Sequence, residues 1–310
     1  MAVIYPKMAV IGCGLIGSSV IRAAREAGVV GKVSVADASE AHRRRIVELA
    51  YADQVTDNIA DAVKDADLVV LAVPVLAMGS AAEAAAPALK PGATVTDVGS
   101  VKGSVAQAMT KALPQNVFVI PGHPIAGTEH SGPDAGLAEL FRNRWVILTP
   151  QAGRRDEAYL EATARLADFW RALGANVEQM DETHHDLVLA VTSHLPHLIA
   201  YNIVGTAADM EEVTQAEVMK YSAGGFRDFT RIAASDPTMW RDVFVANKDA
   251  VLEILGRFTE DLQALSRAIR WGEADKLFDL FTRTREIRRG IIAAGQESAE
   301  PNFGRDRGKH

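Results

Sequence analysis

Of the eight histidines in the sequence, His123 is the one best placed to move a proton. It stands in Pro121-Gly122-His123-Pro124-Ile125-Ala126-Gly127-Thr128-Glu129, directly after the apolar run Val117 to Ile120. Flanking prolines stiffen such a loop and glycines permit close approach, while an imidazole titrates near neutrality and can act as a base. The alternative is a loop histidine that is merely hydrogen-bonded. Ser100, in Asp97-Val98-Gly99-Ser100-Val101-Lys102, can bridge such a base to a substrate hydroxyl or cap the helix that follows. Ser193 and His197 in Ser193-His194-Leu195-Pro196-His197 share a helical face, and Pro196 is expected to kink that helix and expose carbonyls. His194 with His197 suggests a metal, but no third ligand at fixed spacing completes the set, and none is assigned. In Gly224-Gly225-Phe226-Arg227-Asp228-Phe229-Thr230-Arg231, Arg231 can clamp a carboxylate bidentately with Asp228 orienting it, or the two can form a structural ion pair.

A base needs an electron acceptor if it is to help oxidise an alcohol, and the N-terminus supplies a place for one. Gly12, Gly14 and Gly17 follow the strand pattern Met8 to Ile11 and open the helical pattern Leu15 to Ala27. Gly12 allows the tight turn, Gly14 lets a pyrophosphate approach the backbone, and Gly17 lets helix and strand pack closely. Leu15 and Ile16 belong to the same turn, where the helix N-terminus offers amides to negative charge. Asp37 lies 20 residues beyond Gly17, where a carboxylate accepts the ribose hydroxyls and repels a 2'-phosphate, so NAD is favoured. Arg43, Arg44 and Arg45 lie close enough in sequence that use of NADP stays open. Cys13 reads as a small buried filler with no base to activate it.

The elements that must position these groups are legible from periodicity. Apolar runs at Met8 to Ile11, Lys32 to Ala36, Leu68 to Val73, Ala93 to Val98, Val117 to Ile120 and Trp145 to Thr149 alternate with helical segments. Those segments are Leu15 to Ala27, Glu40 to Ala50, Ala81 to Leu89 and Val101 to Leu113, and the alternation predicts βαβ units and a mostly parallel, doubly wound sheet. A further helix from about Asp156 to Leu173 and an edge strand at Asn176 to Met180 close this half. After Met180 strand signals stop, and Asp181, Glu182 and Thr183 offer N-cap chemistry for a run that is helical to Gly205. The expected domains are therefore 1–180 for the dinucleotide and 181–295 for an all-helical half, with 296–310 a disordered tail. A single helix is predicted from Asp236-Pro237 toward Trp271. Its heptad seam, Val251, Leu255, Phe258, Leu262, Leu265 and Ile269, requires a partner helix from Leu277 to Ile292 or from a second subunit.

Composition excludes several classes. A formal charge of -7 and scattered Lys and Arg argue against a nucleic-acid surface. One cysteine leaves no disulfide framework and suits a reducing cytoplasm. No export signal is recognisable at the N-terminus. The apolar stretch Leu68 to Met78, broken by Pro74, is shorter than the roughly 20 residues of a membrane span, so no membrane association is expected.

Taken together, the motifs at 12–19, 96–102, 122–129, 193–197 and 228–233 resemble the prephenate/arogenate (cyclohexadienyl) dehydrogenase family, in order and approximate spacing from residue 7 to about 292. The histidine-proline loop and the kinked-helix motif carry most of that specificity. The resemblance implies a Rossmann-type domain followed by a helical dimerisation domain. It also implies oxidative decarboxylation of prephenate to 4-hydroxyphenylpyruvate, of arogenate to tyrosine, or of both. His123 would then accept the hydrogen bond or proton of the ring hydroxyl, Ser100 would orient it, and Arg231 would bind the side-chain carboxylate. His197, Ser193 and Thr128 would help to hold the substrate, and Val73, Pro74 and Ser100 would line the cofactor with Gly12, Gly14, Leu15, Ile16, Gly17 and Asp37. A homodimer through the helical half is implied, without a fused mutase or regulatory module. Rival readings are another Rossmann dehydrogenase, of the β-hydroxyacid dehydrogenase or imine reductase type, and a non-catalytic NAD-sensing regulator. The first would place a lysine or aspartate in the helical half, and the second would need none of His123, Ser100 and Arg231.

Overall fold

A computed structural model of the chain describes residues 2–128, 130–209 and 224–293. The first half alternates strand and helix: β1 Tyr5–Ile11, α1 Leu15–Glu26, β2 Val30–Ala36, α2 Glu40–Glu48, β3 Gln54–Thr56, α3 Ile59–Val63, β4 Leu68–Leu71, α4 Met78–Ala85, β5 Thr94–Asp97, α5 Gly103–Ala112 and β6 Phe118–Val119. The six strands form one sheet in the order β3-β2-β1-β4-β5-β6, and every pairing in it is parallel. This is the doubly wound order that leaves a crevice at the strand C-termini where the order reverses, between β1 and β4.

Side-chain alternation along each strand divides the apolar residues between two cores. Met8, Val10, Val35, Leu68 and Val70 point to the layer filled by Val20 and Ile21 of α1 and by Leu166 and Trp170. Ala9, Ile11, Val69, Leu71 and Val95 point the other way, onto Met78, Ala82, Val105 and Met109 of α4 and α5 and onto Trp240 and Val243. Burial on both faces is why β4, Leu-Val-Val-Leu, reads as one unbroken apolar run.

A second, three-stranded sheet follows, made of β7 Gly122–Pro124, β8 Trp145–Leu148 and β9 Asn176–Gln179, with α6 Glu157–Ala172 between β8 and β9. β7 runs antiparallel to β8, and His123 is opposite Ile147. His123 is thus on a strand and not in the loop expected from its prolines. Pro124 is tolerated there because β7 is an edge strand, whose free side needs no amide donor. The short β3 and α3 also escaped the sequence reading, being too brief to show a period.

Beyond β9 the chain is helical: α7 Glu182–Leu189, a π-helical turn Ala190–His194, α8 Leu195–Ala208, α9 Gly224–Thr230, a 3₁₀ turn Arg231–Ala234, α10 Pro237–Ala246, α11 Lys248–Arg270 and α12 Ala274–Ala293. Asp181 caps α7 by accepting the His184 amide at 2.9 Å. Pro196 falls in the first turn of α8, immediately after the π-helical turn, so the helical run is irregular just before the proline. The helix expected from Asp236 to Trp271 is two helices. Asn247 breaks it with φ -107° and ψ 31°, because its side-chain amide is drawn into a buried network. Helical residues from Glu182 to Ala208 are long and apolar enough by composition to span a bilayer. His185, Asp186 and His194 within that stretch are buried and bonded to other protein groups.

The chain gathers into two compact units, one through Leu252 and one from Glu253. In the second, the seam residues Leu262 and Ile269 are exposed, as are Phe278, Phe281 and Ile287 of α12. The tail 296–310, expected to be disordered, lies outside the described residues.

Candidate active site

The glycine turn has the geometry its spacing predicts. Gly12 has φ +87°, and a Cβ there would sit 2.6 Å from the Ala72 carbonyl oxygen; a Cβ on Gly17 would sit 2.2 Å from the Gly12 carbonyl oxygen. Gly14 differs, since nothing lies within 4 Å of the space its Cβ would occupy. That open space faces the N-terminus of α1, which carries no side-chain cap and no acidic residue in its first turn. Its amides therefore keep unused donor capacity for an anion. Asp37 follows β2, and its carboxylate accepts the amides of Cys13 at 2.8 Å and Ser39 at 2.9 Å, tying the glycine turn to the strand beside it. His42 lies 3.4 Å from the same carboxylate, and Arg43 donates to the carbonyls of Asp37 and Ala38. Val73 packs against Gly12, and Pro74 leads into a short 3₁₀ turn on the exposed side. Burial, helped by the charge of Asp37, pushes the Cys13 thiol up to about 12, so it carries no nucleophile. An uncapped helix end, an open cradle at Gly14 and a carboxylate after β2 fit a dinucleotide.

The second cluster lies beyond β5. Asp97 and Lys102 are fully buried and form an ion pair. Asp97 also accepts the amides of Gly99 at 2.8 Å and Gly122 at 3.2 Å, while the Lys102 ammonium donates to the Gly122 carbonyl at 2.7 Å. This pair thus pins the turn bearing Ser100 to the strand bearing His123. Burial pulls Lys102 below its ordinary value, with Asp97 opposing. Ser100 does not cap α5. The helix begins at Gly103, and the amides of Lys102 and Gly103 are taken at 2.7 and 2.8 Å by the carboxylate of Asp186, from α7.

Asp186 also holds His185, whose Nδ1 is 2.8 Å from its Oδ1, and the Nε2 of His185 lies 2.9 Å from Nδ1 of His123. Burial holds His123 well below the usual histidine range, and the charge of Lys102, with any that His185 and His194 would carry, acts in the same direction. His194, from the π turn, is pushed down to about 4 by burial, against the pull of Asp186 and the Ser100 backbone. Its Nδ1 lies 3.1 Å from the Asn247 amide, which also donates to the Asp186 carbonyl. Burial raises Asp186, but bonds from His185 and the two amides outweigh it and hold the carboxyl below its ordinary value.

His197 is half-buried, with Nδ1 2.9 Å from the Ser193 carbonyl oxygen, which leaves Nε2 free to accept. Its ring stacks on Trp240, and burial followed by the charge of Arg231 lowers its pKa. Arg231 opens the 3₁₀ turn after α9 and is exposed, and among the described residues no carboxylate pairs with it, Asp228 included. The structural ion pair considered from sequence is therefore not formed. Thr128 is exposed, its hydroxyl accepting the His130 amide at 3.2 Å, and no described contact brings it to this cluster. Sequence reasoning missed Asp97, Lys102, His185, Asp186, Trp240 and Asn247. Only Asp97 and Lys102 carried a signal, being part of the same short motif as Ser100.

A doubly wound sheet with an anion-ready glycine turn, a buried histidine on the strand that follows it and, on a helical element, an arginine with which no described carboxylate pairs together define a nucleotide-dependent dehydrogenase. Residues 20–179 match the family described as prephenate dehydrogenase, nucleotide-binding domain, and residues 181–283 the prephenate dehydrogenase dimerization domain. The chain belongs to the prephenate dehydrogenase family. It is 46% identical over 285 residues to a cyclohexadienyl dehydrogenase of Zymomonas mobilis, covering 92% of this chain and 96% of that one. Among solved structures, prephenate dehydrogenase from Aquifex aeolicus in complex with hydroxyphenyl propionate and NAD+ superposes with a TM-score of 0.85 at 33% identity, covering 92% of this chain and 98% of that one. Arogenate dehydrogenase from Synechocystis gives 0.77 at 26% identity, covering 92% and 99%.

Proposed function

We propose that this chain is a homodimeric, cytoplasmic enzyme that uses NAD to oxidise and decarboxylate prephenate, arogenate or both. In this reading residues 1–180 hold the dinucleotide and 181–295 the substrate and the dimer contact. The observation that supports it is one run of contacts, from His123 to His185 and Asp186, through Asn247 to His194, and by way of Trp240 to His197; the charge of Arg231 also bears on His197. In this reading the proton acceptor His123 and the carboxylate receptor Arg231 serve one substrate.

The bound nicotinamide would supply the hydride acceptor. Gly12, Gly14, Gly17, Leu15 and Ile16 would hold the pyrophosphate of the dinucleotide, Asp37 would hold the adenosine ribose, and Val73, Pro74 and Ser100 would line the remainder. Asp37 favours NAD, because a 2'-phosphate would meet a carboxylate already held in place by two amides. His123 takes the proton of the ring hydroxyl as the hydrogen on that carbon leaves as hydride. When carbon dioxide departs, its bonding electron pair passes into the ring and the oxygen recovers the proton, so His123 ends as it began. Ser100 orients the hydroxyl, His197 and Ser193 position the ring and its substituents, and Arg231 binds the side-chain carboxylate. Burial keeps His123 uncharged, and hence able to accept, at neutral pH.

The test is purified protein with NAD and each acid in turn, following NADH by absorbance; no NADH with either would discard the function. His123→Asn is expected to reduce kcat about 100-fold or more with KM little changed. Arg231→Ala is expected chiefly to raise KM, and the reverse pattern would mean the two roles are misassigned.

A further inference from the structure

The Asp186–His185–His123 chain fixes which nitrogen of His123 carries a proton. The Asp186 carboxylate receives three donors, the amides of Lys102 and Gly103 and the Nδ1 of His185. A carboxylate with that many donors is ionised, and it can face His185 Nδ1 at 2.8 Å only if that nitrogen bears hydrogen. In a neutral ring the other nitrogen, Nε2, is then a bare lone pair. It lies 2.9 Å from Nδ1 of His123, so the hydrogen between the two rings must belong to His123. The opposite arrangement, with His185 donating from Nε2, would set its Nδ1 lone pair against the carboxylate of Asp186. His123 is left with Nδ1–H directed inward and its Nε2 lone pair as its only basic site.

We propose that His185 and Asp186 are positioning residues for the catalytic base, selecting the His123 tautomer in which Nε2 is free to accept the substrate proton. The proposal rests on the reading of His123 as that base. When Nε2 takes the proton, His185 remains an acceptor for Nδ1–H and Asp186 stands behind it, so the new charge meets an oriented acceptor without rearrangement. Lys102 and His194 bear on His123 through charge, with no hydrogen bond to it among the described residues, and Asp97 is taken up by Lys102 and two amides. The two-ring chain is therefore the only route among the described residues by which a carboxylate orients this imidazole. Asp186 has a second duty as the cap of α5, which makes His185 the cleaner place to break the chain.

The test pairs kinetics with direct observation of the tautomer. In full-length protein labelled with 15N at histidine, long-range 1H–15N correlation reads the protonation of each ring nitrogen. The His123 signals are assigned by their loss in His123→Asn. The expected wild-type pattern at pH 7.5 is Nδ1 protonated and Nε2 bare. His185→Phe, which keeps a ring but cannot accept, is expected to lower kcat about 10–100-fold with KM within about threefold. His185→Gln, whose amide oxygen can accept the same hydrogen, is expected to recover part of the loss. Protonated Nε2 in the wild-type His123, or kcat of His185→Phe within about twofold of wild type, would overturn the assignment. If His185→Phe does not fold, judged by thermal melting and dinucleotide binding, His185→Gln and the wild-type spectrum decide. A His123→Asn variant that keeps full kcat would instead remove the base reading, whatever His185 does.

Discussion

The imidazole of His197 lies on the indole of Trp240, ring centroids 3.6 Å apart and planes 22° from parallel. One residue comes from α8 and the other from α10, and Trp240 is also part of the core beneath α4 and α5. A single indole thus joins the hydrophobic core to a proposed substrate contact. Trp240→Ala should cost about 3–5 kcal/mol of stability in urea denaturation and raise KM for the acid substrate. Trp240→Phe, which keeps a face for stacking, should stay within about 1.5 kcal/mol and near the wild-type KM. Equal KM values for the two variants would show that the stack does not position His197.

Two glycines of one motif should respond oppositely to the same change. A methyl group at Gly14 meets nothing within 4 Å, whereas at Gly17 it would be 2.2 Å from a backbone oxygen. Gly14→Ala is expected to melt like wild type yet bind NAD about tenfold or more weakly, because the pyrophosphate needs that space. Gly17→Ala should lose about 3 kcal/mol of stability before any ligand is considered. Calorimetry with and without NAD separates the two; unaltered NAD affinity in Gly14→Ala would count against a pyrophosphate there.

The pair Asp97–Lys102 has no access to solvent. Lys102→Met should therefore cost about 3–5 kcal/mol, by leaving a buried carboxylate without its counter-ion, and Lys102→Met with Asp97→Asn together should cost less than Lys102→Met alone. A double-mutant cycle in urea measures this. Additive losses would mean that the pair does not act as a unit.

Acid should unfold this protein earlier than its carboxylates alone would predict. His123, His185 and His194 all have folded values depressed by burial. Above about pH 6.5 both folded and unfolded forms keep these rings neutral, and stability is at its full value. As pH falls below that, the unfolded chain gains protons that the folded chain refuses. With His194 held at about 4, that ring alone accounts for a loss of about 3 kcal/mol by pH 4. Asp186, also depressed, adds a loss that begins only below its own ordinary value of 3.8. Urea midpoints that do not change between pH 7.5 and 5 would contradict this.

How much of this was legible beforehand depends on the range over which each feature is decided. Gly12, Gly14, Gly17 and the strands that lead into and follow them are fixed by local spacing, and their alternation gave the doubly wound sheet. His123, Ser100 and Arg231 stand out as candidates because their residue types are chemically conspicuous. The partners of these groups were not legible. His185 matters only because the fold brings it against a residue 62 positions earlier, and Asp186 because it caps a helix 83 to 84 positions earlier. Nothing in the segment around 185 marks either role. The break at Asn247 was hidden for the same reason: its side chain answers to Asp186 and His194, not to its own helix.

The carboxylate of Asp186 has a consequence for dissection of the chain. A fragment ending at residue 180 would keep every strand of both sheets and the whole glycine motif, yet it would leave the first amides of α5 unsheltered and the ring of His123 without its inward acceptor. Nucleotide affinity could survive in such a piece only at the expense of the turn that carries Ser100. The two halves are thus not modules to be exchanged among relatives: grafting foreign helices after β9 would preserve the proposed base only if they returned a histidine and an aspartate to these two places.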